Sequence, residues 1–344
     1  MPPQSEYSKK IASELRQDPV SGDWVAIAAA RAKRPHAFIE KGKRTPLDAK
    51  KDCPFETLFP ARILGYTRGG QEASDDDWWV QVIPNKYPAF TRGLCAVLHT
   101  AGPYVWREGV GFHEVVISRD HTRAIAGMSH DEVEQIVHIY QERARKMQKD
   151  DCVKYVSIFH NHGPGAGATV LHPHSQMIAL PVIPPDVARS IRGSADYFHR
   201  RDACIHCEII RYEREAGARL IYENDHCVAL APYASKTAFE MRIFPKKHRA
   251  RFEETVAEER ASAADALRVS LAKLSRGLKN PDYNFFFHTA PTVESHEPFS
   301  HYHWHIEIIP KTVIWAGFEI GTGIEISAIA PEDAASFLKD VNIR

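Results

Sequence analysis

Between residues 129 and 147 the apolar positions keep a helical period. Val133, Ile136, Val137, Tyr140, Ala144 and Met147 recur every three or four residues, which places them on one face of a helix. Ser129 and Glu132 stand three apart at the head of this run and supply a capping box, so a helix is expected to open at Ser129. Shorter apolar runs predict strands at 78–84, 114–118, 154–159 and 176–181, and again at 219–222, 227–231, 239–245, 283–288 and 304–310. An Ala- and Leu-rich stretch predicts a second long helix over 253–279, and Pro331 opens a short one. The first fifty residues are polar and basic apart from a strand-like piece at 23–27. Segments 41–52 and 60–77 read as loops. The break from Pro181 to Pro185 leads into a connector over 186–203, and the stretch after Gly317 is turn-rich.

This order repeats. Phe112 to His121 and Phe239 to His248 each carry His nine residues after Phe at the end of a strand. Each is followed by a long helix, an aromatic strand (from Tyr155 or Tyr283) and a His-x-His cluster. The expected fold is therefore α+β: two tandem units over 15–185 and 200–344, each an antiparallel sheet with helices packed on one side. A chain of 344 residues is long enough for two such units, and 44% hydrophobic against 26% charged residues supports a buried core. Lys plus Arg and Asp plus Glu both number 44, which argues against a global electrostatic hold on nucleic acid or an anionic membrane. No run approaches the roughly 18 apolar residues of a membrane span, and the start lacks the apolar stretch of a secretory signal. A cytoplasmic location is expected. The six Cys do not make a disulfide scaffold in a chain this long. Cys95, Cys152 and Cys227 are expected to be unpaired, with Cys152 and Cys227 as small core residues at strand starts.

The chemistry concentrates in the 19 His. In His172-Pro173-His174-Ser175-Gln176, two His two apart on an extended segment point to one face, and Pro173 stiffens the segment. Upstream, Gly163-Pro164-Gly165-Ala166-Gly167-Ala168-Thr169 is nearly free of side-chain bulk, so its N–H groups are expected to approach phosphate oxygens. A His beside a phosphate cradle suggests attack on phosphorus, with a phosphoramidate intermediate. Cys204-Ile205-His206-Cys207, together with His248 and the cluster His301-Tyr302-His303-Trp304-His305, offers two thiolates and two imidazoles for a closed zinc site. A redox pair or a disulfide is the alternative.

In these residues the chain resembles the histidine-triad superfamily and, within it, the galactose-1-phosphate uridylyltransferase family. The motifs are Ala30-Arg31-Ala32-Lys33-Arg34-Pro35, Cys53-Pro54-Phe55-Glu56, Pro84-Asn85-Lys86-Tyr87-Pro88-Ala89, Phe159-His160-Asn161, His172 to Gln176, and Gly317-Phe318-Glu319. The likeness is greatest to the plant-type branch that includes ADP-glucose phosphorylase. It implies ping-pong nucleotidyl transfer from a nucleotide sugar to a sugar-1-phosphate, with His174 as nucleophile. Gln176, Asn161, Gly167 and Thr169 would hold the α-phosphate, and Arg31, Arg34 and Asn85 the base, ribose or phosphates. Glu319 would reach the sugar from a neighbouring subunit, which implies a homodimer. Gln176 stands where the hydrolytic branch has a third His, and Gln cannot serve as acid or base. A phosphorylase using phosphate or sulfate, a histidine-triad hydrolase and a non-catalytic nucleotide-binding module remain as alternatives.

The resemblance also bears on metal. Counting from the strand start favours His301 as the fourth ligand beside Cys204, Cys207 and His248, whereas matching to the plant-type branch favours His303, which we adopt. The first-repeat counterpart would be Cys53, Glu56, His121 and His172, with Glu56 where the family usually has Cys. That site would take zinc or the harder iron, or stay empty with Glu56 in an ion pair. Both metals would be structural, orienting His172 and so His174.

Overall fold

The computed structural model describes residues 13–28, 38, 50, 53–56, 62–74, 77–95, 97–292 and 299–343. Its first element is a hairpin of β1 (Glu14–Gln17) and β2 (Trp24–Ile27), turned at Asp18, whose Oδ1 accepts from the N–H groups of Val20 and Ser21. The first repeat comprises β3 (Leu64–Tyr66), β4 (Val80–Pro84), an exposed hairpin of β5 (His99–Ala101) and β6 (Tyr104–Trp106), β7 (Phe112–Ser118), α1 (His130–Met147), β8 (Tyr155–His162) and β9 (His174–Leu180). Helices α2 (Pro185–Arg201) and α3 (Ile205–Ala216) lead to the second repeat. This holds β10 (Leu220–Glu223), β11 (Cys227–Leu230), β12 (Met241–Pro245), α4 (Ala257–Leu278), β13 (Tyr283–His288) and β14 (His305–Pro310). The last described elements are α5 (Gly317–Thr322), β15 (Glu325–Ser327) and α6 (Pro331–Asp340).

Helix α1 starts as its sequence requires. Ser129 accepts from the Glu132 N–H while Glu132 accepts from the Ser129 N–H at 2.8 Å. Its apolar stripe and the Leu267, Leu271, Leu274 and Leu278 stripe of α4 are buried, and the two helices pack on each other over one face of the sheet. The class is α+β, with these helices on one side of an antiparallel sheet. The two expected sheets are one, in the order β10-β11-β12-β14-β13-β8-β9-β7-β4-β3. The halves join where β13 pairs with β8, Asn284 opposite Asn161 and Phe286 opposite Phe159. Alternation along β9 buries Ser175, Met177 and Ala179 under α1, leaving His174, Gln176 and Ile178 on the far face.

Several expectations change. Residues 186–203, read as a connector, are mostly helix α2: Pro185 stands in the first turn, where its missing N–H costs nothing, and His199, Arg200 and Arg201 lie in the last turn, where cations suit the dipole. The 60–77 loop contains β3, whose three residues are too few to show an alternation. The second long helix starts at Ala257, after a 3₁₀ turn at Phe252–Glu254. The turn-rich stretch contains the short α5. Cys95 and Cys152 are not unpaired: they form a disulfide with a Cα–Cα distance of 5.0 Å, and Cys152 lies in the turn after α1, half-buried. Cys227 is buried on β11. Among the described residues no helix is long and apolar enough to cross a membrane.

The β1–β2 hairpin clasps the second repeat. β2 pairs in parallel with β15, Arg16 bridges to Glu332, and Asp18 Oδ2 accepts from Arg242 Nη1 at 2.9 Å. Arg242 also meets Glu307 at 3.2 Å and Glu240 at 3.4 Å. All four groups are largely sealed from water. Burial opposes ionisation of Asp18 and Glu307, yet the Arg242 charge together with hydrogen bonds, from the Ser21 and Val20 N–H groups to Asp18 and from His288 to Glu307, holds both below their ordinary values. Burial, with the Glu307 charge beside it, pushes Glu240 up from 4.5. The unfolded Glu240 therefore ionises above pH 4.5 while the folded one stays protonated, so stability falls as pH rises from there toward the folded pKa. Asp18 and Glu307 act oppositely, and their contribution is lost as pH falls through their lowered values. Glu240→Gln is expected to flatten the decline of denaturant-measured stability above about pH 5, by up to about 1.4 kcal/mol per pH unit, and to leave the acid limb in place.

Candidate active site and metal centres

His174 opens β9 with its ring packed against Phe55, centroids 5.0 Å apart. Its Nδ1 lies 2.9 Å from the His172 carbonyl oxygen. Because a carbonyl only accepts, Nδ1 carries the proton and the lone pair is on Nε2. Burial lowers the His174 pKa below 6.5, which favours the neutral ring. Behind it, Ser175 points into the core, with its hydroxyl held between Tyr140 Oη and His160 Nδ1. His160 stacks on Phe285 at 5.0 Å, and burial drives its pKa well below 6.5. His174 thus sits on a strand whose opposite side is pinned to α1 and to the second repeat.

The glycine loop differs from expectation. Gly163 and Gly167 have φ of +83° and +85°, conformations that favour glycine. The N–H groups of Ala166 and Ala168 donate to the Gly163 carbonyl, that of Gly167 to Pro164, and that of Gly165 to Asp282 Oδ2. These four donors are turned inward, and an acidic side chain stands at the loop, so the load of holding an anion shifts to side chains. Gln176 lies on the His174 face, and Asn161 follows two residues after Phe159, which is opposite Gln176.

Two donor sets converge. Cys204, Cys207, His248 and His303 bring their ligand atoms within 4.8 Å of one another, as do Cys53, Glu56, His121 and His172. It is His303, not His301, that joins the second set. Its Nε2 donates to the Pro245 carbonyl at 2.9 Å, which leaves the Nδ1 lone pair facing Cys207 Sγ at 3.5 Å. His172 repeats this: Nε2 donates to the Ser118 carbonyl at 2.6 Å, and Nδ1 faces Cys53 Sγ at 3.6 Å and Glu56 Oε1 at 3.5 Å. Glu56 Oε1 also lies 2.9 Å from His121 Nδ1, and its other oxygen 3.5 Å from Lys50 Nζ. A Cys₂His₂ set suits zinc, and the Cys-Glu-His₂ set suits zinc or a harder ion. The Cys204 pair does open a helix, as redox pairs do, but Cys207 also faces two imidazoles.

Residues 3–184 match the family described as galactose-1-phosphate uridyl transferase, N-terminal domain, and residues 106–340 match a domain of unknown function. The chain belongs to the galactose-1-phosphate uridyl transferase family. It is 33% identical over 333 residues to ADP-glucose phosphorylase of Arabidopsis thaliana, covering 96% of this chain and 93% of that protein. To galactose-1-phosphate uridylyltransferase of Thermotoga maritima it is 30% identical over 340 residues, covering 96% and 99%. The crystal structure of an Arabidopsis thaliana ADP-glucose phosphorylase with bound ADP-glucose superposes with a TM-score of 0.81 at 31% identity, covering 96% of this chain and 99% of that one. A structure described as a uridylyltransferase gives 0.72 at 27% identity, covering 95% and 97%. This member of the galactose-1-phosphate uridyl transferase family is an enzyme of the nucleotidyltransferase kind.

Of the residues expected from the family motifs, His174, Gln176, Asn161 and Asn85 come to one face of the sheet. Thr169 is exposed at the end of the loop. Glu319 is on α5 beside β15, its Oε2 accepting from the Ala316 N–H. Arg31 and Arg34 lie outside the described residues. Reading by motif included Phe55 without assigning it a place at the site and missed His113 and Asn284: His113 Nε2 lies 2.8 Å from Gln176 Oε1, and Asn284 Nδ2 lies 2.7 Å from Asn161 Oδ1. Gln176 lies two residues along β9 from Ile178, the cross-strand partner of His113, so the two are diagonal neighbours that only the β7–β9 register reveals.

The second repeat carries the same scaffold without the opening. His305 stands where His174 does, with Nδ1 at 3.1 Å from the His303 carbonyl, and His206 packs on it at 5.2 Å as Phe55 packs on His174. Glu307 takes the place of Gln176, and the Asp18–Arg242–Glu240 group fills the space in front. Tyr140→Phe should leave the buried Ser175 hydroxyl with one partner, with a stability loss of about 1 kcal/mol by urea denaturation.

Proposed function

We propose that the enzyme transfers a nucleoside monophosphate from a nucleotide sugar to a sugar-1-phosphate through a covalent nucleotidyl-His174. The observation that carries this is the tautomer: Nδ1–H is tied to the His172 carbonyl, so Nε2 offers its lone pair. Nε2 bonds to the α-phosphorus as the bond from that phosphorus to the bridging oxygen breaks, and the sugar-1-phosphate leaves with the electron pair. An oxygen of the incoming sugar-1-phosphate then bonds to phosphorus, and the P–N bond returns its electrons to Nε2. Two displacements of moderate difficulty replace one. Gln176 and Asn161 donate to the non-bridging oxygens, with Gly167 and Thr169 at the loop's end, and Asn85, Arg31 and Arg34 hold the base, ribose or phosphates. Gln176 takes no proton, so water is not activated.

A second reading keeps the same His174 and uses inorganic phosphate or sulfate as the acceptor. The similarity to ADP-glucose phosphorylase favours it. Incubation with UDP-glucose and with ADP-glucose separately is expected to give an acid-labile nucleotidyl-protein by mass with one of them, absent in His174→Asn. Discharge by galactose-1-phosphate supports the first acceptor, and discharge by phosphate the second. Monophosphate release with no adduct would overturn both in favour of hydrolysis.

Zinc fits Cys204, Cys207, His248 and His303, and zinc or iron fits Cys53, Glu56, His121 and His172. When bound, each ion supplies a rigid cross-link; in the first repeat it ties the Cys53–Glu56 turn, and with it Phe55, to the strand that carries His174. Elemental analysis is expected to find two metals per chain. Cys204→Ser with Cys207→Ser should lose one of them and lower Tm. A homodimer accompanies this reading. Ile314, Phe318 and Ile320 around Glu319 are 93%, 51% and 75% exposed, an apolar surface that a second copy would cover.

A further inference from the structure

A side-chain amide presents either its oxygen or its nitrogen to a ligand, and its neighbours decide which. Around Gln176 and Asn161 the neighbours leave one choice. His113 Nδ1 is 3.1 Å from the Ala89 backbone nitrogen, whose N–H only donates. Nδ1 is therefore the acceptor, and the proton of the neutral ring is on Nε2. That Nε2 is 2.8 Å from Gln176, so the group facing it is the Oε1 oxygen. His113 is opposite Ile178, beyond Gln176 as seen from His174, so it takes the Gln176 oxygen from the side away from His174 and leaves the Gln176 nitrogen unengaged by it. Asn85 Nδ2 lies 3.1 Å from the same His113 nitrogen, a donor facing a donor, and Asn85 Oδ1 already accepts from the Tyr87 N–H at 2.8 Å.

The same reasoning holds at the seam of the repeats. Asn284 Nδ2 is 2.9 Å from the Ala166 carbonyl oxygen, which only accepts, so the nitrogen of Asn284 is fixed there. It is also 2.7 Å from Asn161, which must present Oδ1 to it. Asn161 keeps both N–H groups for a ligand. Four of the loop's backbone donors are spent internally, which makes these amides the donors that matter.

We propose that His113 and Asn284 are positioning residues that lock the amides of Gln176 and Asn161 with their N–H groups turned toward the α-phosphate. This rests on the His174 reading above. Free to flip, either amide would present an oxygen to the phosphate oxygens and lose its stabilisation of the charge that builds in the transition state.

Double-mutant cycles test it, read as the rate constant of nucleotidyl-protein formation by quenched flow, with whichever of UDP-glucose and ADP-glucose charges the wild type. His113→Phe is expected to slow charging roughly ten- to a hundredfold while the half-saturating concentration changes less than about threefold. Added to Gln176→Ala it should cost nothing further. Asn284→Ala should behave likewise with Asn161→Ala, and His113→Gln, which restores a donor, should recover part of the loss. Multiplicative losses in the double variants, or unaltered charging in His113→Phe and Asn284→Ala, overturn the proposal. Should His113→Phe unfold, as judged by Tm, the His113→Gln and Asn284→Ala arms decide it. A wild type that forms no adduct counts against the His174 reading instead. The same cycles read as the rate constant of nucleotide-sugar turnover then decide the positioning role by the same criterion.

Discussion

The antiparallel pairing of β8 with β13 is what the remaining arrangement depends on. It turns two five-stranded halves into one sheet and removes an edge from each, where an unpaired row of N–H and C=O groups would otherwise stand. It also sets Asn284 of one repeat across from Asn161 of the other, and lets Phe285 stack on His160 behind Ser175. The chemistry of the first half therefore leans on side chains of the second.

Duplication makes the determinants of the site visible by contrast. Both halves place a His after a His-x step with Nδ1 bonded to the carbonyl two residues back. Both gather a donor set whose last imidazole is oriented by a strand carbonyl, from Ser118 or Pro245. What differs is the space in front. Around His174 it is bordered by neutral amides; around His305 it holds Arg242 and three acidic side chains, and the ring is buried. The backbone constellation is common to both, and the occupancy of one face separates the His174 imidazole from the buried one of His305.

Much of this was legible in the residues, because local rules governed it. The cap at Ser129, the apolar stripe of α1, the paired strand–helix–strand order and the His172–Gln176 face all follow from spacing within a few residues. Motif likeness also pointed to His303, which spacing alone did not. The rest depended on partners far away in the chain. Three-residue β3 has no period to read. The Pro181–Pro185 run looks the same whether it ends an element or, as here, begins one. Cys95 and Cys152 meet across 57 residues. The inward turn of the Gly165 N–H depends on Asp282, and His113 and Asn284 meet the site amides only through strand register. Such diagonal and cross-repeat neighbours carry no signature at short range.

The hairpin at the beginning of the chain adds a constraint in time. Arg16 meets Glu332 across 316 residues and Asp18 meets Arg242 across 224. During synthesis those opening residues leave the ribosome when hardly any of their partners has been made. Until those are made, Arg16 has only its near neighbour Glu14 to pair with. Closing the clasp is then a late event of high contact order, and a nascent chain halted before α6 would carry Arg16 without the carboxylate that it holds in the finished protein.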